Sequence, residues 1–312
     1  MTAHHRFYTS HAGYTAMMRW YEQALSRFSV PLTRRFIRTR CGLTHVISAG
    51  NPTAPPLVLL HGINVNAIGW RRQFELLAPH FHLIAPDVIG FSGLSAAVRP
   101  AYASDAYTHW LLDVLDAYQV ERAGFVGTSG GGWYALKLAA HHPQRVAALT
   151  LINPLGIAHL PYPQDLFRNP LVCALVGAVG RHIMATRAGA RRLVRAGASA
   201  DAPQDADMVE MAYLLLKYFR RRPPPAPLTA LELNQVRAPL TLLLGERDPY
   251  LNVRRLVQAA QRQLPQVRAY IVPRGGHDLH HDRAETIAHY IKETLCCTYS
   301  QMAKRIIIHT ED

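Results

Sequence analysis

Residues Gly127-Thr128-Ser129-Gly130-Gly131 follow the apolar run Ala123-Gly124-Phe125-Val126 and precede Trp133-Tyr134-Ala135-Leu136-Lys137-Leu138-Ala139. A strand-forming run, a pinched turn between glycines and a helix-forming run describe an elbow that holds a serine at its tip. The serine backbone in such a turn is strained, so its neighbours must lack bulky side chains, and Gly127 and Gly131 meet that demand. The helix after the turn aims its unpaired N–H groups and positive dipole end at any oxyanion formed on Ser129. Five-residue matches of this kind arise by chance in a chain with 20 glycines. The strand before and the helix after distinguish this one from a plain glycine-rich turn.

Around the elbow, strand and helix patterns alternate. Tyr14 to Phe28 carries apolar residues at helical spacing, and Arg35–Thr39 with Leu43–Ser48 reads as a hairpin around Gly42. Pro56–Leu60 and His82–Ala85 are continuous apolar runs, the mark of strands covered on both faces, with a helix over about Ala67–Leu77 between them. A helix over about Ser104–Tyr118 leads to the elbow strand, and Val146–Ile152 follows the elbow helix. This rhythm predicts an α/β class protein with a right-handed, mostly parallel sheet. It stops after Asn153. From Pro154 to about Val236 only helical patterns occur (Leu171–Thr186, Arg191–Ala196, Asp205–Phe219), and Pro223-Pro224-Pro225-Ala226-Pro227 closes the stretch as a stiff connector. The core then resumes with a strand at Pro239–Leu244, a helix at about Asn252–Gln263, a strand at Val267–Val272 and a helix at Ala284–Leu295. The expected organisation is therefore an N-terminal core part over 1–153, a helical cap insertion over 154–236, a C-terminal core part over 237–297 and a tail over 298–312. The tail has no obvious place in the core, apart from an apolar Ile306-Ile307-Ile308.

Composition bounds the partners. With 49% hydrophobic and 18% charged residues and no run of 18 apolar residues, the 312-residue chain reads as globular, without a membrane span. Its first residues lack the pattern of a secretory signal, so a cytoplasmic location is expected. Cys41, Cys173, Cys296 and Cys297 show neither C-x-x-C nor zinc spacing and read as free thiols. The net charge of +13 comes from 34 Lys and Arg against 21 Asp and Glu. Its clusters, Arg191-Arg192 and Arg220-Arg221-Arg222, are not interleaved with aromatics, which argues against nucleic acid and for a solvated cationic surface.

A serine hydroxyl is a weak nucleophile and needs a base, which in turn needs an orienting acid. Among 17 histidines, His277 in Gly275-Gly276-His277-Asp278 stands out because it lies just past the Val267–Val272 strand, at the sheet edge where the elbow opens. Asp248, just after the Pro239–Leu244 strand, gives the chain order Ser, Asp, His. Glu246 and Asp278 are its rivals, whereas Asn153 removes the position after Ile152 from the list. The oxyanion amides are assigned to Gly130 and Ile63, with Gly62 letting the loop turn inward and His61 bracing it. His280, His281 and Asp282 lack the frame of a metal site and read as a solvated polar loop.

These motifs together resemble the α/β-hydrolase superfamily, and within it the capped carboxylesterase-like branch. The likeness rests on His61-Gly62, Asp87-Val88-Ile89-Gly90-Phe91-Ser92, the Ser129 elbow, Gly245-Glu246-Arg247-Asp248 and Gly275-Gly276-His277, and covers roughly 35–155 and 236–295. The resemblance implies an eight-stranded sheet, no cofactor and hydrolysis through an acyl-enzyme. Members with an Asp nucleophile cleave epoxides or carbon–halogen bonds, and Ser129 excludes these. The chain lacks an H-G-G-G loop, and Asp278 stands where carbon–carbon hydrolases usually carry Trp, so both relatives fit less well.

The leading expectation is a serine carboxylesterase acting on a small-molecule ester of small to medium acyl length. The alternatives are another activity on the same scaffold (a carbon–carbon hydrolase, thioesterase, lactonase or cofactor-free haloperoxidase) and a non-catalytic ligand receptor. Apolar cap residues, among them Phe167, Leu171, Val172, Leu175, Met184, Met208, Met211, Tyr213 and Leu214, are candidates to line the pocket. Arg187, Arg191, Arg192 and Arg195 are weaker candidates to attract a remote negative charge.

Overall fold

The computed structural model describes residues 3–159 and 185–307. Eight strands form one sheet: β1 (Thr33–Thr39), β2 (Gly42–Ala49), β3 (Pro56–Leu60), β4 (His82–Pro86), β5 (Ala123–Thr128), β6 (Val146–Ile152), β7 (Leu240–Gly245) and β8 (Val267–Val272). Their order is β1-β2-β4-β3-β5-β6-β7-β8. Every pairing from β4 onward is parallel, and β1/β2 and β2/β4 are antiparallel. The described helices are α1 (His11–Leu25), α2 (Arg71–Leu77), α3 (Ala106–Ala117), α4 (Gly130–His141), α5 (Arg187–Gly197), α6 (Ala206–Tyr218), α7 (Ala230–Leu233), α8 (Val253–Gln263), α9 (Leu279–Asp282) and α10 (Ala284–Ile307).

The unbroken apolar runs follow from the two-residue period of a strand, which sends alternate side chains to opposite faces. In β3, Val58 and Leu60 join a core layer under α3, α4 and α8, while Leu57 and Leu59 join a second layer under α1, α2 and α10. Covered on both faces, the strand has no polar side to show. Local signals set several boundaries. Ser10 caps α1 by accepting from the Gly13 amide, so the helix begins three residues before the expected Tyr14 and ends at Leu25. Asn252 caps α8 by accepting from Arg255 N. The helix expected over Ala67–Leu77 divides into a 3₁₀ turn at Ala67–Trp70, capped by Asn66, and α2. Two short helices escaped the periodicity: α7, closed by a reciprocal Thr229/Glu232 capping box, and α9.

The last helix does not stop at Leu295. It continues to Ile307, and Tyr299 fastens it to the sheet by donating to Pro56 O (2.7 Å) and accepting from Gly124 N (2.8 Å). The Ile306–Ile308 packing and the Leu171–Thr186 helix lie outside what the structure describes.

Between β6 and β7, α5 and α6 pack through Ala190, Val209, Ala212 and Leu216. The other side of α6 sends Met211, Leu214 and Leu215 into the core layer shared with α1. Asp205 caps α6 and, like Asp207, pairs with Arg71 (3.3 and 3.2 Å). The proline-rich connector is held by Trp133 Nε1 donating to Ala226 O (3.0 Å) and Tyr102 Oη donating to Pro223 O (3.2 Å). Among the described residues, no helix is long and apolar enough to cross a membrane.

Just after β4, fully buried Asp87 collects the loops near the site. Its carboxylate accepts from the amides of Ala67 (2.9 Å) and Leu94 (2.9 Å), Tyr21 Oη (2.9 Å) and His45 Nδ1 (3.0 Å). Burial works to raise this carboxyl, but the hydrogen bond and charge of His45, with His61 and the Ala67 amide, hold it below its ordinary range. A folded pKa below the unfolded value of about 3.9 means the stabilisation is complete above about pH 4 and fades on acidification. Asp87→Asn would face three donors with an amide. It is expected to lower unfolding free energy in urea by about 2–4 kcal/mol at pH 7 and to flatten the acid limb of the stability profile; a loss below about 1 kcal/mol would show that these donors find other partners.

Candidate active site

Ser129 sits between β5 and α4 with φ 51° and ψ −117°, a conformation L side chains rarely adopt and one that costs of order 1–3 kcal/mol. The flanking glycines are required by contact. A Cβ on Gly127 would lie 2.6 Å from the Gly131 carbonyl, and one on Gly131 would lie 1.9 Å from Leu60 O at the end of β3. The turn is tied down by Ser129 N donating to Ile152 O (2.9 Å), while Ser129 O accepts from Gly132 N (3.0 Å) and Leu155 N (2.9 Å).

The loop after β3 abuts this elbow. A Cβ on Gly62 would stand 3.4 Å from Ser129 Cβ, and one on Gly130 would stand 3.0 Å from Ile63 N. The Ile63 amide thus lies beside the start of α4, where the first amides of a helix have no intrahelical acceptor. His61 braces the loop: Nδ1 donates to Gly62 O (2.8 Å) and Nε2 accepts from Val88 N (2.9 Å), with burial pushing the imidazole toward its neutral form.

Asp248, buried after β7, lies 2.6 Å through Oδ2 from His277 Nδ1. Its Oδ1 accepts from the amides of Tyr250 (2.7 Å) and Leu251 (3.1 Å), which fixes the carboxylate plane. The two rivals serve elsewhere. Glu246 is exposed and accepts from Arg274 N (2.7 Å), and Asp278 makes no hydrogen bond to His277. Burial acts to depress His277, but the hydrogen bond and charge of Asp248, with Asp278, outweigh it and hold the imidazole above its ordinary value. The Tyr250 ring stands edge-on to it at 4.9 Å.

Two supports of His277 were not visible as site residues in the sequence. Buried Asn153, at φ 43°, donates through Nδ2 to Gly276 O (3.0 Å) and His277 O (2.9 Å) and accepts at Oδ1 from Gly245 N (2.9 Å). It joins the ends of β6 and β7 to the histidine loop; its amide, with a donor and an acceptor, was the available signal. Gly197 O, at the end of α5, accepts from His277 N (2.6 Å) and Asp278 N (3.1 Å).

Ser129 and His277 both belong to the wall of a cavity of about 370 Å³, otherwise largely apolar. Met208 and Met211 line it as expected, joined by Ile63, Leu155, Leu193 and Val194. Leu214 points into the core and Tyr213 packs under Arg187 (4.5 Å) instead. Phe167, Leu171, Val172, Leu175 and Met184 lie outside the described residues. Arg187, Arg191, Arg192 and Arg195 are not on the described cavity wall. Arg187 pairs with Glu210, Arg195 donates to Ala200 O and Ala202 O, and Arg191 and Arg192 border a separate, open surface hollow; among the described residues, Arg221 is the arginine on the cavity wall. Nor are His280, His281 and Asp282 a solvated loop. His280 is buried against Trp70 (4.9 Å), His281 Nε2 bonds Asp205 (3.1 Å), and Asp282 accepts from Ser199 Oγ (2.9 Å).

Residues 55–172 match the family model of the alpha/beta hydrolase fold. Over 274 residues the chain is 26% identical to an uncharacterized carboxylesterase, nap, of Bacillus subtilis (strain 168), covering 83% of this chain and 85% of the relative. The crystal structure of carboxylesterase CesB (YbfK) from Bacillus subtilis superposes with a TM-score of 0.78 at 23% identity, covering 91% of this chain and 99% of the other. Naproxen esterase from Bacillus subtilis gives 0.75 at 24%, covering 89% and 96%. The chain has the alpha/beta hydrolase fold, and along most of its length it is similar to carboxylesterases.

Proposed function

We propose that this protein is a serine carboxylesterase in which Ser129 is the nucleophile, His277 the general base and acid, Asp248 the orienting acid, and the amides of Ile63 and Gly130 the oxyanion hole. The observation that carries this reading is the strained Ser129 sharing one cavity wall with the Asp248-paired His277. Asp248 accepts from Nδ1, so Nε2 is left to take the Ser129 proton as Oγ attacks the ester carbonyl. The negative charge on the carbonyl oxygen falls to the two amides, which need no rearrangement to receive it. His277 then protonates the departing alcohol, and the acyl-enzyme is hydrolysed by a water that His277 activates. No metal or cofactor enters this scheme. Residues 154–236 serve as a cap between core parts 1–153 and 237–297, and the stretch expected as a tail from 298 begins inside α10, which Tyr299 fastens to the sheet. Wall residues contributed by α5 and α6 support that division.

Ser129→Ala is expected to abolish fluorophosphonate labelling and lower kcat on p-nitrophenyl butyrate by about 10⁴–10⁶. A variant retaining a tenth of the activity would overturn the nucleophile.

Asp248→Asn should reduce kcat/KM by about 10³–10⁴, far beyond Glu246→Gln. The base works in its neutral form, so activity should rise with pH through an apparent pKa above about 6.5. Asp248→Asn, which removes the carboxylate that holds the imidazole up, should move it down. A flat profile from pH 5 to 8 would count against a histidine base.

A cavity of about 370 Å³ is near the small end for ligand sites. Across p-nitrophenyl acetate, butyrate, octanoate and palmitate, kcat/KM should peak at butyrate or octanoate and show no jump at the micelle threshold. A maximum at palmitate would replace the esterase with a lipase.

A further inference from the structure

Ser129 opens onto two cavities. Beside the apolar one lies a smaller space of about 120 Å³ that runs toward the 3₁₀ turn and α9, with Gly69, Trp70, Asp278 and His280 on its walls. Ser129, His277 and Asp278 line both. The proposed mechanism leaves Asp278 and His280 without a task, and both are costly to keep where they are.

Asp278 stands at the N-cap position of α9, yet its side chain makes no capping bond, and its carboxyl has no hydrogen bond among the described residues. Burial, with Asp282 and Asp248 nearby, pushes this carboxyl above its ordinary range, and the opposing charges of His277 and His281 offset that only in part. His280 is 7% exposed; its Nδ1 is buried without a partner among the described residues, and its Nε2 lies 3.6 Å from where a Cβ on Gly69 would stand. Burial lowers this imidazole to about 3, which keeps it neutral. A half-buried carboxyl and a neutral imidazole on one small space call for a ligand group that can both donate and accept. A hydroxyl is the smallest such group. It donates to a carboxylate or accepts from a carboxylic acid, and an imidazole nitrogen accommodates either role.

We propose that the smaller cavity is a hydroxyl-recognising arm of the active site, formed by Asp278 and His280, and that the substrates are esters carrying a hydroxyl a few bonds from the scissile carbonyl. The inference rests on the esterase reading: the apolar half of the ester occupies the larger cavity and the hydroxylated half the smaller. The hydroxyl can come from the alcohol or from the acid, and isosteric pairs separate the two.

The test compares 2-hydroxyethyl butyrate with propyl butyrate, and ethyl 3-hydroxybutyrate with ethyl 3-methylbutyrate. In at least one pair the hydroxylated ester should have a kcat/KM about tenfold or more higher, because an alkyl group leaves both polar side chains unmet. The favoured pair identifies which half carries the hydroxyl. In Asp278→Leu that ratio should fall toward 1. Gly69→Ala, which narrows the space without changing a polar group, should lower it as well and guards against a folding defect in the first variant. Ratios near 1 in both pairs, an unchanged ratio in both variants, or a preference for butyrylcholine over 2-hydroxyethyl butyrate would overturn the arm while p-nitrophenyl butyrate turnover left the esterase intact. Loss of that turnover together with fluorophosphonate labelling would remove both.

Discussion

At the elbow two stretches of backbone approach more closely than any side chain allows, and the site is built outward from that contact. With hydrogen in place of Cβ, Gly131 rests against the carbonyl at the end of β3. The N-terminus of α4 is thereby fixed relative to the loop that follows β3, and the Ile63 amide is brought beside Gly130. The strain at Ser129 is held by hydrogen bonds to β6 and to the residues beyond it. A methyl group at either flanking glycine would separate the proposed nucleophile from the amides proposed to stabilise its product, before any side chain of the proposed triad was altered.

Much of the core was legible because it depends on one-dimensional periodicity. A strand covered on both faces must be apolar at every position, so β3, β4, β5, β6 and β7 announce themselves, and the glycine-flanked serine marks where the helix begins. Chain order favoured an acid ahead of His277 but left Glu246 a rival of Asp248, and what separates them is the 2.6 Å contact of Asp248 Oδ2 with His277 Nδ1. What escaped is of another kind. Asn153 was dismissed as an acid because only its charge was considered, whereas its value lies in donating and accepting between three chain segments. The polar run at residues 280–282 looked solvated because its partners, Trp70, Asp205 and Ser199, are far away in sequence. The arginines of α5 looked like substrate ligands, but which side of an amphipathic helix faces a cavity is decided by its packing on α6.

The described residues between β6 and β7 do more than line the cavity. Gly197 O receives the amides of His277 and Asp278, and Ser199 Oγ accepts from Gly276 N (3.1 Å), so the loop bearing the histidine leans on the inserted helices as much as on the sheet. The pairing of Asp205 and Asp207 with Arg71 ties the same helices to the core from the opposite side.

At the far end of that segment, Asn64 and Arg222 exchange hydrogen bonds in both directions: Asn64 Nδ2 donates to Arg222 O (3.0 Å) and Arg222 N donates to Asn64 Oδ1 (2.7 Å). Asn64 is the residue after Ile63, so the stretch that borders the cavity is coupled at one end to the proposed base and at the other to a proposed oxyanion amide. Under the proposed mechanism, contact between a remote part of the ester and these helices would align the reacting groups as well as retain the ligand. In such an arrangement, trimming the substrate at a distance from the carbonyl slows turnover itself, and affinity alone does not measure what the distant atoms contribute.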